Sequence, residues 1–165
     1  MGTTVGYRII RLTTGERVLV DAEDYPKVAC LRWRRSGKPG NYYAQAYLGG
    51  RRFTPMHRLV LGLEIGDGKV VDHINRNTFD NRRANLRICS NRQNQMNKPA
   101  SKGKRYSKYK GVCWHKRDQR WCAMIDGGKH LGNFDSELEA ARAYDEAALR
   151  LYGEFAYFNF ERKRA

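Results

Sequence analysis

The chain has 165 residues and a formal net charge of +15, from 32 Lys and Arg against 17 Asp and Glu. This length suits one ordinary domain or two small ones, and a small domain usually carries a net charge of roughly 2 to 8 in magnitude. The excess therefore indicates a polyanion partner, nucleic acid first and an anionic membrane second, and argues against a merely soluble basic protein.

Cysteine usage argues against a structural zinc site, because the four cysteines form no CxxC pair. The opening sequence MGTTVGYRIIRL lacks the long apolar run of a signal peptide or a membrane span. We therefore expect no membrane association, and a reducing cytoplasm in which the thiols stay free.

Residues 1–55 are predicted to form a β-rich region. YRIIRL and RVLVD flank the turn TTGE, DAEDYPKVAC suits one short helix with Pro26 in its first turn, and LRWRR and YYAQAYL read as strands. Two interpretations of the basic and aromatic residues remain open, a solvated strand face or a strand ribbon along DNA. These residues are Arg32, Trp33, Arg34, Arg35, Tyr42 and Tyr43.

Residues 56–97 begin with MHRLVLGL, where helical spacing predicts that Leu59, Val60 and Leu63 are buried. VVDHI is predicted to be a strand, NRNTFDNRRAN a long turn, LRIC a second strand and SNRQNQMN a short helix. Asn75, Asn77 and Asn81 are expected to build the turn, since asparagine tolerates left-handed backbone and bonds to nearby main chain.

This strand–strand–helix order can bring Asp72 and Asn94 to face each other. One carboxylate and one amide oxygen form a sparse, hard ligand set that suits Mg²⁺ or Mn²⁺. His73, beside such a metal, could deprotonate water near neutral pH if a neighbouring oxygen fixed its tautomer. His57 is expected to be structural or a phosphate contact rather than catalytic.

The set Asp72, His73, Asn85 and Asn94, with the flanks MHRLVLGL and NRRANLRICSNRQNQMN, resembles the HNH endonuclease motif of phage and intron homing endonucleases. The resemblance implies a ββα-metal nuclease core in which Asp72 and Asn94 bind the metal. It also implies that His73 is the general base and that Asn85 orients it. By proximity alone, five arginines are candidate DNA contacts: Arg76, Arg82, Arg83, Arg87 and Arg92.

Residues 98–108, KPASKGKRYSK, are predicted to form a basic linker. Residues 109–160 are predicted to form a three-stranded antiparallel sheet from YKGVCWH, RWCAMI and the segment after DGG, followed by one helix. Ser136 and Glu139 suggest a capping box, and Gly153 suggests the C-terminal stop. Apolar residues recur at helical spacing at Leu138, Ala141, Tyr144, Ala148 and Leu151.

This second segment resembles the AP2 domain of plant transcription factors and of some phage endonucleases. In that family the sheet face reads the major groove, which implies DNA contacts at Lys110, Gly111, Cys113, His115 and Arg120. Cys113, His115 and His130 stand where plant domains usually have arginines or a tryptophan. The plant target sequence is therefore not expected to apply.

The sequence as a whole predicts an α+β protein with an N-terminal strand region, a nuclease core, a basic linker and an AP2-like module. The expected activity is metal-dependent hydrolysis of a phosphodiester in double-stranded DNA, nicking one strand as a monomer, although a dimer through a strand edge remains open. By resemblance, it would act as a phage protein inside the host cell. The alternatives are a non-catalytic AP2-type DNA-binding regulator and an RNA-binding or RNA-cleaving protein.

Overall fold

The computed structural model describes residues 6–50, 52–100 and 106–160. Across these residues the protein is mixed α and β, with four small antiparallel sheets and one helix longer than six residues. The chain divides after Asn91 into two compact units. Of the predicted linker, residues 101–105 lie outside the described residues.

The first unit contains two hairpins, one three-stranded sheet of order β3-β4-β5 and two single-turn helices. The elements are β1 Tyr7–Arg11, β2 Arg17–Asp21, α1 Tyr25–Ala29, β3 Trp33–Lys38, β4 Asn41–Tyr47, β5 Phe53–Pro55, α2 Met56–Val60, β6 Val70–His73 and β7 Leu86–Cys89. The strands predicted around TTGE pair as β1 and β2, and the strands predicted from VVDHI and LRIC pair as β6 and β7.

Trp33 is the largest fully buried side chain of this unit, at 1% exposure. Its indole N–H donates to the Val28 carbonyl at 2.8 Å, so its polar atom is satisfied inside the core. Of the apolar residues predicted to be buried in MHRLVLGL, Val60 is in the core and Leu59 packs against it, whereas Leu63 follows α2 and is only partly buried. Trp33 therefore belongs to the core rather than to a surface row of aromatics.

Strand β2 also holds the long loop between β6 and β7. The Leu19 N–H donates to the Phe79 carbonyl at 2.8 Å, and the Asn81 N–H donates to the Leu19 carbonyl at 2.8 Å. A buried loop needs partners for its backbone groups, and the edge of β2 provides them here. The first hairpin is thereby fixed against the loop that carries Asn81.

The second unit is a three-stranded antiparallel sheet of order β10-β9-β8, with one long helix packed on it. Its elements are α3 Asn91–Met96, which begins at the boundary, β8 Val112–His115, β9 Arg120–Ile125, β10 Lys129–Phe134 and α4 Glu137–Tyr152. Helix α3 is anchored at its C-terminal end, where the Met96 carbonyl accepts from Tyr157 N–H at 3.2 Å and from Lys110 Nζ at 2.7 Å.

Helix α4 lies close to the sheet because its buried face is mostly alanine. That face consists of Ala140, Ala141, Tyr144, Ala147 and Ala148. The Ser136 side chain caps the helix by accepting from the Leu138 N–H at 3.2 Å. Of the apolar residues that recur at helical spacing, Leu138 and Leu151 lie outside this buried face and are 47% and 50% exposed. No described helix is long and apolar enough to cross a membrane.

Gly111, the residue before β8, lets the Tyr144 ring of α4 lie directly against the backbone. Its φ is +75°, and a Cβ there would overlap the Tyr144 ring and lie 2.6 Å from the Met124 carbonyl oxygen. We expect Gly111→Ala to lower the free energy of unfolding by about 3 kcal/mol, from backbone strain plus overpacking. Urea unfolding followed by circular dichroism measures this.

Gly127 is the matched control, because its φ is +77° and nothing lies within 4 Å of its virtual Cβ. Gly127→Ala should cost only the backbone term, about 1 kcal/mol. Equal losses for the two variants would show that the packing of Tyr144 on Gly111 does not contribute.

Candidate active site

Asp72 and His73 are the last two residues of β6. The β6–β7 register places Asp72 opposite Arg87 and His73 opposite Leu86. Both side chains are nearly buried, with residue exposures of 5% for Asp72 and 4% for His73. A buried carboxylate beside a buried imidazole is an unusual pair to find at a strand end, and each needs polar partners.

Arg87 is the partner of Asp72. Its Nη2 lies 2.6 Å and its Nε 2.9 Å from Asp72 Oδ2, and the two side chains are 11% and 6% exposed. Arg87 was predicted to contact DNA, but its guanidinium forms an ion pair with Asp72, the predicted metal ligand. A metal ion at Asp72 would have to share or displace this cation.

The His73 ring is enclosed by side chains that lie far from it in sequence. Its Nε2 is 3.3 Å from the Asn81 Oδ1, and its ring centroid is 5.3 Å from that of His57 in an edge-to-face arrangement. The Tyr43 ring contacts both histidines, at centroid distances of 6.1 Å and 5.6 Å. Sequence patterns did not predict this cluster, because β4 and α2 supply two of its members.

Burial lowers the pKa of His73 below its usual value, although the Asn81 hydrogen bond and the charges of Asp72 and Asp80 act in the opposite direction. Burial, together with the neighbouring His73 and Arg58, lowers the pKa of His57 to about 3. His57 is therefore neutral at physiological pH. The His57 ring is partly buried and packs edge-to-face on Tyr43 and His73, which fits the structural alternative for His57.

Asn85 organises the loop rather than contacting the His73 ring. Its side-chain oxygen accepts from the Asn75 N–H at 2.9 Å, and its amide donates to the Asp80 carbonyl at 2.7 Å. Its own carbonyl accepts from the Ile74 N–H at 2.9 Å. These bonds link Asn85 to His73 indirectly, through the backbone at Ile74 and through the loop that carries Asn81.

The predicted turn-building role fits Asn75 and Asn77. The Asn75 side-chain oxygen accepts from the Asn77 N–H at 2.8 Å, and the Asn77 oxygen accepts from the Phe79 N–H at 3.1 Å. Asn81 differs from them because its side chain is directed at His73. It is 1% exposed, and its Nδ2 is buried without a hydrogen-bond partner in the described residues.

Asn94 lies on α3 and is partly buried. Asp72 offers a carboxylate oxygen and Asn94 an amide oxygen, and both are donor types that suit a hard divalent cation. Among the described residues, no group of three or more His, Cys, Asp or Glu could hold a metal ion.

Most of the arginines predicted to contact DNA already have acidic partners. Arg82 pairs with Asp80 at 2.7 Å, Arg83 binds Asp24 through two nitrogens, and Arg92 pairs with Asp126 at 2.9 Å. Burial tends to raise the pKa of Asp24, but the hydrogen bonds from Arg83 and Lys27 outweigh it and lower that pKa. Arg76 is exposed, in the left-handed backbone region with φ 64°.

The residues of the second unit that were predicted to contact DNA also interact with other parts of the protein. Lys110 Nζ donates to the Met96 and Lys98 carbonyls, both at 2.7 Å, and Gly111 packs on Tyr144. Two of the three remaining predicted contacts form ion-pair geometries, His115 with Asp118 at 3.2 Å and Arg120 with Asp135 at 2.9 Å.

His115, Arg120 and Cys113 alternate with residues that face α4, so they share the open face of the sheet. Cys113 lies directly opposite Cys122 on the neighbouring strand, and both are free thiols.

Comparisons with known proteins identify both segments. A family model described as HNH endonuclease matches residues 55–96, and one described as AP2 domain matches residues 107–154. An uncharacterised HNH endonuclease of Acanthamoeba polyphaga mimivirus is 30% identical over 161 residues, which cover 93% of this chain and 80% of that relative. This chain belongs to the HNH endonuclease family. It also carries an AP2 domain.

The AP2 relatives are plant proteins. An APETALA2-like protein of Oryza sativa is 52% identical over 60 residues, and an AP2-like ethylene-responsive transcription factor of Arabidopsis thaliana is 47% identical over 57 residues. These alignments cover 33% of this chain but only 14% and 12% of the two plant proteins. The likeness is therefore confined to one domain. No solved structure matches the chain.

The ion pair of Asp72 and Arg87 makes a stability prediction. Arg87→Ala should lower the free energy of unfolding by about 3 to 5 kcal/mol, because it leaves a buried carboxylate without its partner. Arg92→Ala is the control: its pair with Asp126 has side chains 73% and 43% exposed, and such pairs contribute about 1 kcal/mol or less. Chemical denaturation measures both, and equal small losses would show that Asp72 does not depend on Arg87.

Proposed function

We propose that the protein is a metal-dependent HNH endonuclease that hydrolyses a phosphodiester bond in double-stranded DNA. The observation that supports this most is the buried pair Asp72 and His73 at the end of β6, with His73 held against Asn81. The hairpin of β6 and β7 followed by α3 has the chain order of a ββα-metal core. The family match over residues 55–96 supports the same assignment.

His73 is the general base in this proposal and takes a proton from the attacking water. Burial lowers the pKa of His73, which favours the neutral ring that a base requires, and the contact with Asn81 gives that ring a fixed orientation. Asn85 holds the loop from which Asn81 projects. A divalent cation held by Asp72 and Asn94 would polarise the phosphate and stabilise the leaving 3′ oxygen.

We propose one role for each of the four segments of the chain. We assign DNA contact to the β-rich region of residues 1–55, catalysis to residues 56–97 and a connecting role to residues 98–108. Residues 109–160 then bind DNA through the sheet face that carries Cys113, His115 and Arg120. From the resemblance to phage and intron homing endonucleases, we propose that it acts as a phage protein in the cytoplasm of the host cell.

A non-catalytic regulator is the second candidate, favoured by the high identity of the AP2 domain to plant transcription factors. An RNA-binding or RNA-cleaving protein is the third, since the charge alone does not distinguish RNA from DNA. Incubation with supercoiled plasmid, with and without Mg²⁺, separates the first from the second. Competition between duplex DNA and duplex RNA separates the first from the third.

His73→Ala should reduce cleavage by about 10²- to 10⁴-fold and change DNA affinity only a few-fold, because general-base catalysis depends on one ring whereas binding depends on many cations. Plasmid cleavage and a binding titration measure the two quantities. His130→Ala is the control, since His130 is exposed and bonded to Asn133 in the second unit. A His73→Ala variant that cuts at the parental rate would exclude His73 as the base.

We expect the protein to nick one strand. Each chain carries one Asp72–His73 set, and one centre aligns one phosphate, so the opposite strand needs a second site or rebinding. Open-circle plasmid should therefore accumulate before linear DNA appears. Linear product without an open-circle stage would instead indicate a symmetric dimer cutting a palindromic site.

A further inference from the structure

The outer face of the sheet formed by β3, β4 and β5 carries a row of side chains that begins beside His73, the candidate base. Side chains alternate along a strand, so Tyr43, Gln45 and Tyr47 of β4 share one face. Tyr43, at one end of this row, contacts His73. Tyr47 lies four residues further along, roughly 13 Å away at the rise of an extended strand.

At the far end of this row the face carries a cluster of arginine and aromatic side chains. The Arg34 guanidinium lies 3.7 Å from the centroid of the Phe53 ring, and the Tyr47 and Phe53 rings are 5.5 Å apart. They line a cleft of about 390 Å³ together with Thr13 and Arg32. Tyr47 and Phe53 remain 55% and 39% exposed, so this is a surface and not part of the core.

The charge of this cleft is not neutralised locally. Within residues 6–50, 52–100 and 106–160, no carboxylate lies within ion-pair distance of Arg32 or Arg34, whereas the adjacent Arg35 pairs with Glu16 at 2.6 Å. An aromatic ring offers a guanidinium no hydrogen-bond acceptor in its plane, so the planar N–H fork of Arg34 remains suited to bidentate binding of a phosphate. The cleft therefore fits a polyanion better than an apolar partner.

We propose that the Arg32, Arg34, Tyr47 and Phe53 cleft binds the sugar–phosphate backbone of the DNA flank, about four base steps from the phosphate that is cut. The spacing follows from the row along β4, because a strand of duplex DNA advances about 3.4 Å per nucleotide. The arginines bind phosphate, and the rings pack against sugars and base edges. This inference rests on the proposed function for its reference point at His73.

Binding measured without a metal tests the charge in this cleft. The double variant Arg32→Ala and Arg34→Ala of the full chain is titrated with a short DNA duplex in EDTA over a range of salt concentrations. The slope of log K against log salt should become shallower by roughly 1 to 2, since each neutralised phosphate contributes about 0.9. The control removes the same charge from Arg142 and Arg150, which are exposed on α4 and lie away from the sheet face assigned to DNA, and its slope should change by less than half as much.

The aromatic part is tested separately with Phe53→Ala, which should weaken binding three- to ten-fold, and with Phe53→Tyr, which should restore it. Thermal unfolding of each variant checks that the sheet remains folded. Hydroxyl-radical footprints of Phe53→Ala should lose protection three to five nucleotides from the nick mapped with the parental protein, and should keep it elsewhere.

These experiments distinguish a failure of the cleft proposal from a failure of the nuclease proposal. If the parental protein binds DNA but does not cut it, the nuclease proposal fails, and the salt slopes still decide whether the cleft binds DNA. Equal slope changes in the two double variants would overturn the cleft and indicate diffuse attraction. An unaltered footprint of Phe53→Ala would overturn the proposed position of the cleft on the DNA. If duplex RNA competes more strongly than duplex DNA, the cleft binds RNA instead.

Discussion

The need to satisfy the backbone of a long, partly buried loop shapes the centre of the first unit. Residues 74–85 connect β6 to β7, and a loop in such a position cannot leave its N–H and C=O groups without partners. Side-chain amides supply many of them: Asn85 spans the loop from Asn75 to Asp80, and Asn75 donates to the Asp80 carboxylate at 2.9 Å. The many asparagines of this segment are therefore needed first to fold the loop and only then for catalysis.

Once the loop is fixed, the environment of His73 follows. The edge of β2 holds the backbone on both sides of Asp80, which directs the Asn81 side chain at the imidazole. The ring packs at the same time against His57 and Tyr43. Three separate parts of the first unit thus orient one histidine, so its geometry depends on the fold of the whole unit rather than on the hairpin alone.

The sequence predicted elements well where a local pattern determines them. The hairpins β1–β2 and β6–β7, the short helix α3, and the sheet and helix of the second unit lie where periodicity and turn residues placed them. Contacts between distant segments could not be predicted in this way. Trp33 was grouped with surface aromatics because it lies among arginines, and Asn81 was assigned to the turn because nothing local connects it to His73.

The net charge did not indicate which arginines are available to bind DNA. The +15 excess is real, but several arginines near the candidate base form ion pairs with Asp24, Asp72 or Asp80 and so stabilise the fold. A count of residues does not separate these from cations that remain available to a ligand. Only the carboxylates brought close by folding make that distinction, which is why Arg34 and Arg87 look alike in the sequence and differ in the structure.

The anchoring of α3 limits how this protein could be recombined with others. This helix ends the segment that matches the HNH family, yet its C-terminal carbonyl is held by Tyr157 and Lys110, and Arg92 in its first turn pairs with Asp126. An AP2 domain excised at the linker would lose these partners. A boundary placed before Arg92 would keep these contacts for the AP2 domain, but it would also remove Asn94, the proposed metal ligand, from the nuclease segment.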